Sequence, residues 1–166
     1  MDEQLALRPL AVADAEAMAG VLADPALYAF TGGEPPTEDD LRRRYTVQTR
    51  GHSADGSEQW LTLLVLLGHD RVPVGYVQAT IPVDGGPAEV AWVIGTAWQG
   101  RGLATRAARL LLEHLAARGV RSVVAHVHPE HHASNRVAEA IGLAPTDVVV
   151  DGETRWAGPC GPVDPS

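Results

Sequence analysis

The chain has 166 residues, of which 45% are hydrophobic and 20% charged, values typical of one globular domain with a single sizeable core. Its formal net charge of −8 argues against nucleic-acid-binding proteins, whose surfaces are normally basic, and no apolar run is long enough to span a membrane. The lone cysteine, Cys160, excludes an internal disulfide framework and, with an acidic N-terminus unlike a signal peptide, indicates a cytoplasmic protein.

The first part of the chain predicts one strand followed by two helices. Residues 5–10 alternate as a short strand, and residues 12–23 carry apolar side chains at helical spacing. Glycine and proline in residues 31–36 predict a loop. Thr37 is a typical N-cap, because acidic residues follow it in the first turn and arginines come later, an order that suits the helix dipole. This helix should end near Gly51.

The middle of the chain predicts an antiparallel meander of three strands. Two β-rich runs, residues 60–67 and 72–81, are separated by the hairpin turn at residues 68–71. A second turn over residues 82–87 leads into a third strand, which begins near Glu89. Sequential strands joined by such short turns pair antiparallel.

A long helix, a strand and a short helix should follow. Apolar residues recur at steps of three and four from Leu103 to Leu115, and Gly119 is placed to end this helix. Residues 121–128 predict the next strand, and the helix between it and the Glu89 strand permits a parallel crossover. Residues 133–141 predict the shorter helix.

The C-terminal part predicts a final hairpin and a tail. Residues 148–150 and 154–156 would be its strands, joined by a turn over residues 151–153. The glycine- and proline-rich end predicts a flexible tail from residue 159. We therefore expect a single domain over residues 1–158.

A glycine-rich turn over residues 95–102 joins the Glu89 strand to the long helix. Such a turn leaves N–H groups unpaired at the helix start, and these donors, with the positive end of the helix dipole, form an anion site that suits a phosphate. Gly100 and Gly102 lack a Cβ, so a bulky anion can approach the backbone. The dinucleotide-binding fingerprint needs a small residue where Thr105 stands, and a Gly-Lys-Ser/Thr triplet for a P-loop does not occur.

The same turn resembles the acyl-CoA pyrophosphate loop of the GNAT N-acetyltransferases, Gln/Arg-x-x-Gly-x-Gly/Ala. Gln99, Gly102 and Ala104 match its three fixed positions. The predicted order of elements is also that of the family. The resemblance implies an α/β (α+β) GNAT fold, in which a mixed, mostly antiparallel central sheet has a splayed parallel strand pair and helices on both faces.

A second segment resembles the family motif Pro-x-Asn-x-Ala-Ser. Pro129, Ala133 and Ser134 match it, whereas His131 stands where asparagine is usual. The Ala-Ser pair and the acidic Glu89 opening the fourth strand are similar to the RimJ/RimL-like branch of the family.

The resemblance implies an acetyl-CoA-dependent N-acetyltransferase that moves an acetyl group directly to a primary amine of a small molecule or a protein N-terminus. Acetyl-CoA would be a co-substrate, no metal is expected, and a homodimer is possible. The residues that the resemblance assigns to acetyl-CoA are Trp92, Val93, Ile94, Gln99, Gly100, Arg101, Gly102, Leu103, Ala104 and His131. A non-catalytic acyl-CoA-binding or sensor domain of the same fold is the alternative.

Two residues are candidates for the catalytic proton transfers. Glu89 is the candidate base and, at about 3.3 Å per strand residue, lies roughly 10–13 Å from the thioester-binding stretch, which favours a water relay. Ser134 is the candidate proton donor to the leaving thiolate on the family resemblance, or else an N-cap or first-turn residue of its helix. Many GNAT enzymes use a tyrosine on the last helix for this purpose. The tyrosines of this chain, Tyr28, Tyr45 and Tyr76, all precede the glycine-rich turn.

A histidine cluster allows two further interpretations. His126 and His128 share one strand face, and imidazole suits zinc, copper or nickel, but no cysteine accompanies them. One of these two histidines bordering the cleft is the other candidate base, since imidazole titrates near neutral pH. His132 is expected to be exposed.

Overall fold

The computed structural model describes residues 4–160, which form one mixed sheet with helices. The strands are β1 (Leu5–Pro9), β2 (Glu58–Leu67), β3 (Val72–Pro82), β4 (Ala88–Ile94), β5 (Ser122–Val127), β6 (Ala144–Val150) and β7 (Glu153–Pro159). The α-helices are α1 (Ala15–Val21), α2 (Glu38–Gln48), α3 (Leu103–Ala117) and α4 (His132–Ala140), with short 3-10 turns at Val12–Asp14, Pro25–Tyr28 and Thr96–Trp98. In this part of the chain, no helix combines the length and apolar character needed to cross a membrane.

The sheet has seven strands in the order β1-β2-β3-β4-β5-β7-β6. Every neighbouring pair is antiparallel except β4 and β5. That parallel pairing consists of Ala88 with Val123 and Glu89 with Val124, after which the two strands diverge. The expected fold, a mostly antiparallel sheet with one splayed parallel pair, is confirmed.

Side chains of β2 alternate between two hydrophobic cores, one on each face of the sheet. Leu63 and Val65 pack in the core that includes the apolar stripe of α3. Leu64 and Leu66 pack in the other core with Met18 of α1 and with residues of α2. The chain therefore needs helices on both faces, because a strand apolar on both sides must be covered twice.

Hydrogen bonds between residues three apart in the sequence fix the start of α2 and the start of the 3-10 turn before α1. Thr37 Oγ1 accepts from the backbone N–H of Asp40, whose carboxylate accepts from the N–H of Thr37, which confirms the predicted cap of α2. The predicted helix over residues 12–23 is a 3-10 turn followed by α1. Asp14 lies at their junction, where its carboxylate accepts from the N–H of Ala11 at 2.8 Å and from Arg8 at 2.7 Å.

The C-terminal hairpin is longer than the sequence predicted. Gly158, the last residue of the predicted domain, and Pro159, the first residue of the predicted tail, pair with Val123 and Ser122 of β5 as the end of β7. A Cβ on Gly158 would lie 2.7 Å from the carbonyl oxygen of Gly142, so glycine here serves close packing within a strand. Residues 161–166, where most of the predicted tail falls, lie outside the described residues.

Gly75 of β3 lies against the backbone of β4, and we expect that Gly75→Ala destabilises the fold by about 1–3 kcal/mol. A Cβ there would lie 2.1 Å from the carbonyl oxygen of Val93 and 2.9 Å from Cα of Ile94, and these backbone atoms cannot rotate away. Urea denaturation measures the change. Gly20→Ala in α1, where a Cβ meets no atom within 4 Å, is the matched control and should be neutral or stabilising. Equal stability of the Gly75→Ala variant and the wild type would contradict this packing.

The contact between Arg8 and Asp14 predicts a loss of stability in acid. The hydrogen bond from Arg8 is the main reason why the pKa of the Asp14 carboxyl is lowered, with the N–H of Ala11 adding to it. A lowered folded-state pKa contributes stability above the unfolded value of about 3.9, and that stability is lost as pH falls through the folded value. Asp14→Asn should therefore cost about 1 kcal/mol near pH 7 and less below pH 4, measured by denaturation against pH. Asp70→Asn in an exposed turn is the control, and the same cost for Asp14→Asn at both pH values would refute the linkage.

Candidate active site

A cavity of about 750 Å³ opens where β4 and β5 diverge, a volume typical of small-molecule sites. Its walls come from β4, from the segment that leads into α3, from the end of β5 and from the start of α4. Ala26, Leu27, Phe30 and Thr31 line it from the side of the sheet that carries α1 and α2. The cavity exists because the parallel pairing stops after Glu89 and Val124.

The register of β3 and β4 determines which β4 amides face this cavity. The N–H of Gly95 donates to the carbonyl oxygen of Val74 at 2.8 Å, and Val93 lies opposite Tyr76. Successive residues of a strand direct their backbone groups to opposite neighbours, so the N–H of Val93 faces β3. The backbone groups of Trp92 and Ile94 face β5 across the cavity. Trp92, Val93 and Ile94 were predicted to bind acetyl-CoA through this strand, and the geometry favours Trp92 and Ile94 as the backbone donors.

The glycine-rich loop forms the wall at the start of α3. Gln99 Nε2 donates to the carbonyl oxygen of Ile94 at 2.9 Å, which ties the loop to the end of β4. Gly100 and Gly102 have φ values of 81° and 75°, left-handed conformations that favour glycine. Gly102 is the N-cap of α3, so the first amides of the helix point outward at this wall.

Most of the residues predicted to bind acetyl-CoA line the cavity. They are Trp92, Val93, Ile94, Gln99, Gly100, Gly102, Leu103, Ala104 and His131. Arg101 is exposed and is not part of the lining. Thr96, which the sequence did not indicate, also lines the cavity, and its Oγ1 is buried without a hydrogen-bond partner among the described residues. An unpaired buried hydroxyl at a wall is a polar group that a ligand can satisfy.

His131 and Ser134 meet at the opposite wall, at the start of α4. Ser134 Oγ lies 3.4 Å from His131 Nε2, and the ring of Phe30 stacks on the imidazole with centroids 4.7 Å apart. Burial lowers the pKa of His131, and the neighbouring His128 and His132 lower it further. His131 is therefore neutral at pH 7. His131 is the N-cap of α4, so Ser134 lies in the first turn of the helix, the second of the two structural positions considered for it, and is not the N-cap.

Asn135 stabilises the turn that joins β5 to α4. Its Nδ2 donates to the carbonyl oxygens of His131 at 2.9 Å, His128 at 3.2 Å and Pro129 at 3.3 Å. Sequence reasoning missed both Asn135 and Phe30. The position of Asn135 directly after the Ala-Ser pair was a usable signal, whereas the stacking of Phe30 joins segments 101 residues apart and leaves no local pattern.

Glu89 lies outside the cavity lining but is joined to it by His126. Glu89 Oε1 lies 3.0 Å from His126 Nδ1, and Arg155 Nε donates to His126 Nε2 at 3.1 Å. The Glu89 side chain is 57% exposed and that of His126 only 14%. Both nitrogens of His126 are therefore occupied, which disfavours it as a free base. The other candidate, His128, lines the cavity, and its Nδ1 accepts from the N–H of Glu130 at 3.1 Å.

The remaining sequence-based alternatives gain no support from the geometry. Within residues 4–160, no group of three or more histidine, cysteine, aspartate or glutamate side chains is arranged to hold a metal ion. Tyr76 lines the cavity, and burial raises its pKa, which leaves the phenol protonated. Tyr28 donates to the carbonyl oxygen of Leu22, and Tyr45 of α2 is buried in the core between that helix and the sheet. His132 is exposed, as expected.

Comparison with known proteins agrees with this geometry. Residues 4–144 match the family Acetyltransf_3, described as "Acetyltransferase (GNAT) domain". No curated protein sequence matches the chain significantly.

Solved acetyltransferase structures share the fold over nearly the whole chain. An acetyltransferase from Thermus thermophilus is 27% identical, with a TM-score of 0.71 over 94% of this chain and 97% of that one. AAC(6')-Ib, solved with parmomycin and acetyl-CoA, is 19% identical, with a TM-score of 0.77 over 94% and 93%. Spermidine N-acetyltransferase from Vibrio cholerae, solved with CoA and spermine, is 18% identical, with a TM-score of 0.74 over 95% and 96%. At these identities the last two show the shared fold, and the family match shows membership: the chain belongs to the GNAT acetyltransferases.

Proposed function

We propose that this acetyltransferase uses acetyl-CoA as its co-substrate and transfers the acetyl group directly to a primary amine of a small molecule or a protein N-terminus. The observation that carries the proposal is the cavity between β4 and β5, because it joins an anion-binding helix start to a wall with a proton-donating side chain. One elongated ligand with a phosphate part and a reactive thioester part would fit both ends.

The phosphate end would be at the start of α3. Amides of the first helical turn and the open space beside Gly102 suit a pyrophosphate, since an added Cβ there meets no atom within 4 Å. From this point the acyl-bearing arm would run along β4, where the backbone groups of Trp92 and Ile94 face the cavity. An N–H donor beside the thioester oxygen would stabilise the negative charge that develops on it during attack.

The reaction needs a neutral amine and a protonated leaving group. The amine gives its proton to Glu89, directly or through water, and its lone pair attacks the thioester carbon. The carbon–sulfur bond then breaks, and the thiolate takes a proton from Ser134 to leave as the thiol. The Ser134 oxygen takes the surplus proton of the attacking nitrogen, directly or through water, which leaves the neutral amide and restores the hydroxyl. Cys160 donates to the carbonyl oxygen of Leu112 and is not part of the cavity lining, so no cysteine is placed to carry the acetyl group in a covalent intermediate.

The acceptor would enter from the face that carries α1 and α2. Leu27 and Phe30 supply apolar surface there, and Glu89 and Glu153 supply negative charge that favours a cationic amine. Glu89 at the start of β4, with Ser134 after an alanine, supports a place in the RimJ/RimL-like branch. We place the enzyme in the cytoplasm, which suits a half-buried free cysteine.

We expect Gly102→Glu to weaken acetyl-CoA binding by about 100-fold or more, because a carboxylate at the start of α3 would repel the pyrophosphate. Isothermal calorimetry with acetyl-CoA and with CoA should give micromolar binding to the wild type. Gly119→Glu is the matched control, since Gly119 ends the same helix with a φ of 87° and also has open space for a side chain. Absence of binding to the wild type would refute the use of acetyl-CoA, and equal binding to both variants would refute the role of the loop.

Ser134→Ala should lower kcat by about 100-fold with little change in acetyl-CoA affinity, because general acid catalysis acts on the departing thiolate rather than on the bound ground state. Release of the CoA thiol, followed with a thiol reagent against a panel of amines, measures the rate. Ser122→Ala at an exposed position of β5 is the control. A kcat equal to that of the wild type would remove Ser134 from the mechanism, whereas binding of CoA without turnover of any amine would indicate a sensor domain.

A further inference from the structure

Three side chains form a hydrogen-bonded row across three neighbouring strands, on one face of the sheet. His126 of β5 lies directly opposite Arg155 of β7, and Val124, two residues before His126, lies opposite Glu89 of β4. Residues two apart on a strand share a face, so Glu89, His126 and Arg155 all project to the same side. The row runs from a carboxylate through an imidazole to a guanidinium.

The two outer groups determine the protonation state of the imidazole between them. Arg155 Nε carries a hydrogen and donates it to His126 Nε2 at 3.1 Å, so Nε2 holds a lone pair. The single proton of the neutral ring is then on Nδ1, which lies 3.0 Å from Glu89 Oε1 and donates to it. A second proton on Nε2 would point that N–H at the N–H of Arg155 Nε, and two donors would then face each other without an acceptor.

We propose that Arg155 is a positioning residue that holds His126 neutral in its Nδ1–H tautomer, so that Glu89 stays ionised, fixed in orientation, and takes the proton of the acceptor amine. Without the guanidinium, His126 would take a proton at Nε2. The resulting imidazolium would form an ion pair with Glu89 and make the carboxylate a weaker base. The catalytic part of this inference rests on the proposed function, and the tautomer does not.

Glu89 and Arg155 are the side chains that contact the ring nitrogens of His126 in the described part of the chain. The further charged or titratable side chains that line the cavity are His128, His131, His132, Arg136 and Glu153. His128 accepts at Nδ1 from the N–H of Glu130, and His131 pairs with Ser134. Glu153 is an anion on the same hairpin as Arg155 and would favour, not prevent, protonation of a nearby imidazole.

The tautomer is tested on the protein alone by nitrogen-15 NMR of its imidazole rings, with His126→Gln to assign the signal. In the wild type we expect a protonated Nδ1 and an unprotonated Nε2 at neutral pH, as the two hydrogen bonds of the ring require. In Arg155→Met, Nε2 should bind a proton more readily than in the wild type. Arg50→Met, which removes an exposed arginine beyond α2, is the control and should behave as the wild type. A proton on Nε2 in the wild type, or titration unchanged by Arg155→Met, would overturn the proposal.

The positioning role is tested by the pH profile of kcat/KM. In Arg155→Met, kcat/KM should fall at low pH, by about tenfold for each pH unit below the pH at which His126 becomes protonated. It should recover at higher pH. Arg155→Lys, which keeps a cationic donor, should restore much of the wild-type profile and also serves if Arg155→Met folds poorly. A profile for Arg155→Met parallel to that of the wild type would refute the positioning role. Since acetyl-CoA binding is measured separately, failure here is distinguishable from failure of the proposed function.

Discussion

The early end of the pairing between β4 and β5 is the constraint on which the rest of this structure depends. Two residue pairs join the strands, and beyond Glu89 and Val124 they separate. Backbone groups in a sheet interior normally find partners, because an unpaired buried amide costs about 1–3 kcal/mol. Here the N–H groups of Trp92 and Ile94, which would otherwise meet β5, face a cavity instead, and the carbonyl oxygen of Ile94 accepts from Gln99. The fold is stable around this gap because β5 gains a full antiparallel partner in β7 on its other side, and β4 is held along its length by β3.

In the proposed function, the cavity has an anion-binding end and a proton-transfer end, and different elements supply them. The start of α3 offers fixed amides and glycines without side chains, which suits a phosphate that must approach the backbone. The turn before α4 offers a hydroxyl beside an imidazole that burial keeps neutral. The row from Glu89 through His126 to Arg155 crosses β4, β5 and β7 and places a carboxylate where the proposed acceptor would enter. In the proposed reaction, Glu89 removes the proton of the amine and Ser134 donates a proton to the thiolate, so different elements carry the two proton transfers.

The chain departs from the usual GNAT pattern at two points, and at each the structure shows which side chains lie there instead. His131 replaces the usual asparagine, and its ring is held by stacking on Phe30 and by contact with Ser134. Asn135 orders the turn before α4 by donating to three carbonyl oxygens. No tyrosine follows the glycine-rich loop, so the proposed acid is a serine whose neighbour is a polarisable imidazole. Catalysis in such a site depends on positioning and on fixed hydrogen-bond donors rather than on an acidic phenol.

The sequence by itself determined the order of elements, the glycine-rich loop and the capped start of α2. These follow from local rules: apolar period, turn residues and a hydroxyl three residues before a carboxylate. Tertiary structure alone decided which β4 amides face the cavity, that Phe30 stacks on His131, and that Arg155 reaches His126. It also decided that Pro159 belongs to a strand, where the composition had predicted a tail. Each of these contacts joins residues distant in the sequence, and no local propensity encodes a partner that only the folded sheet brings within hydrogen-bond distance.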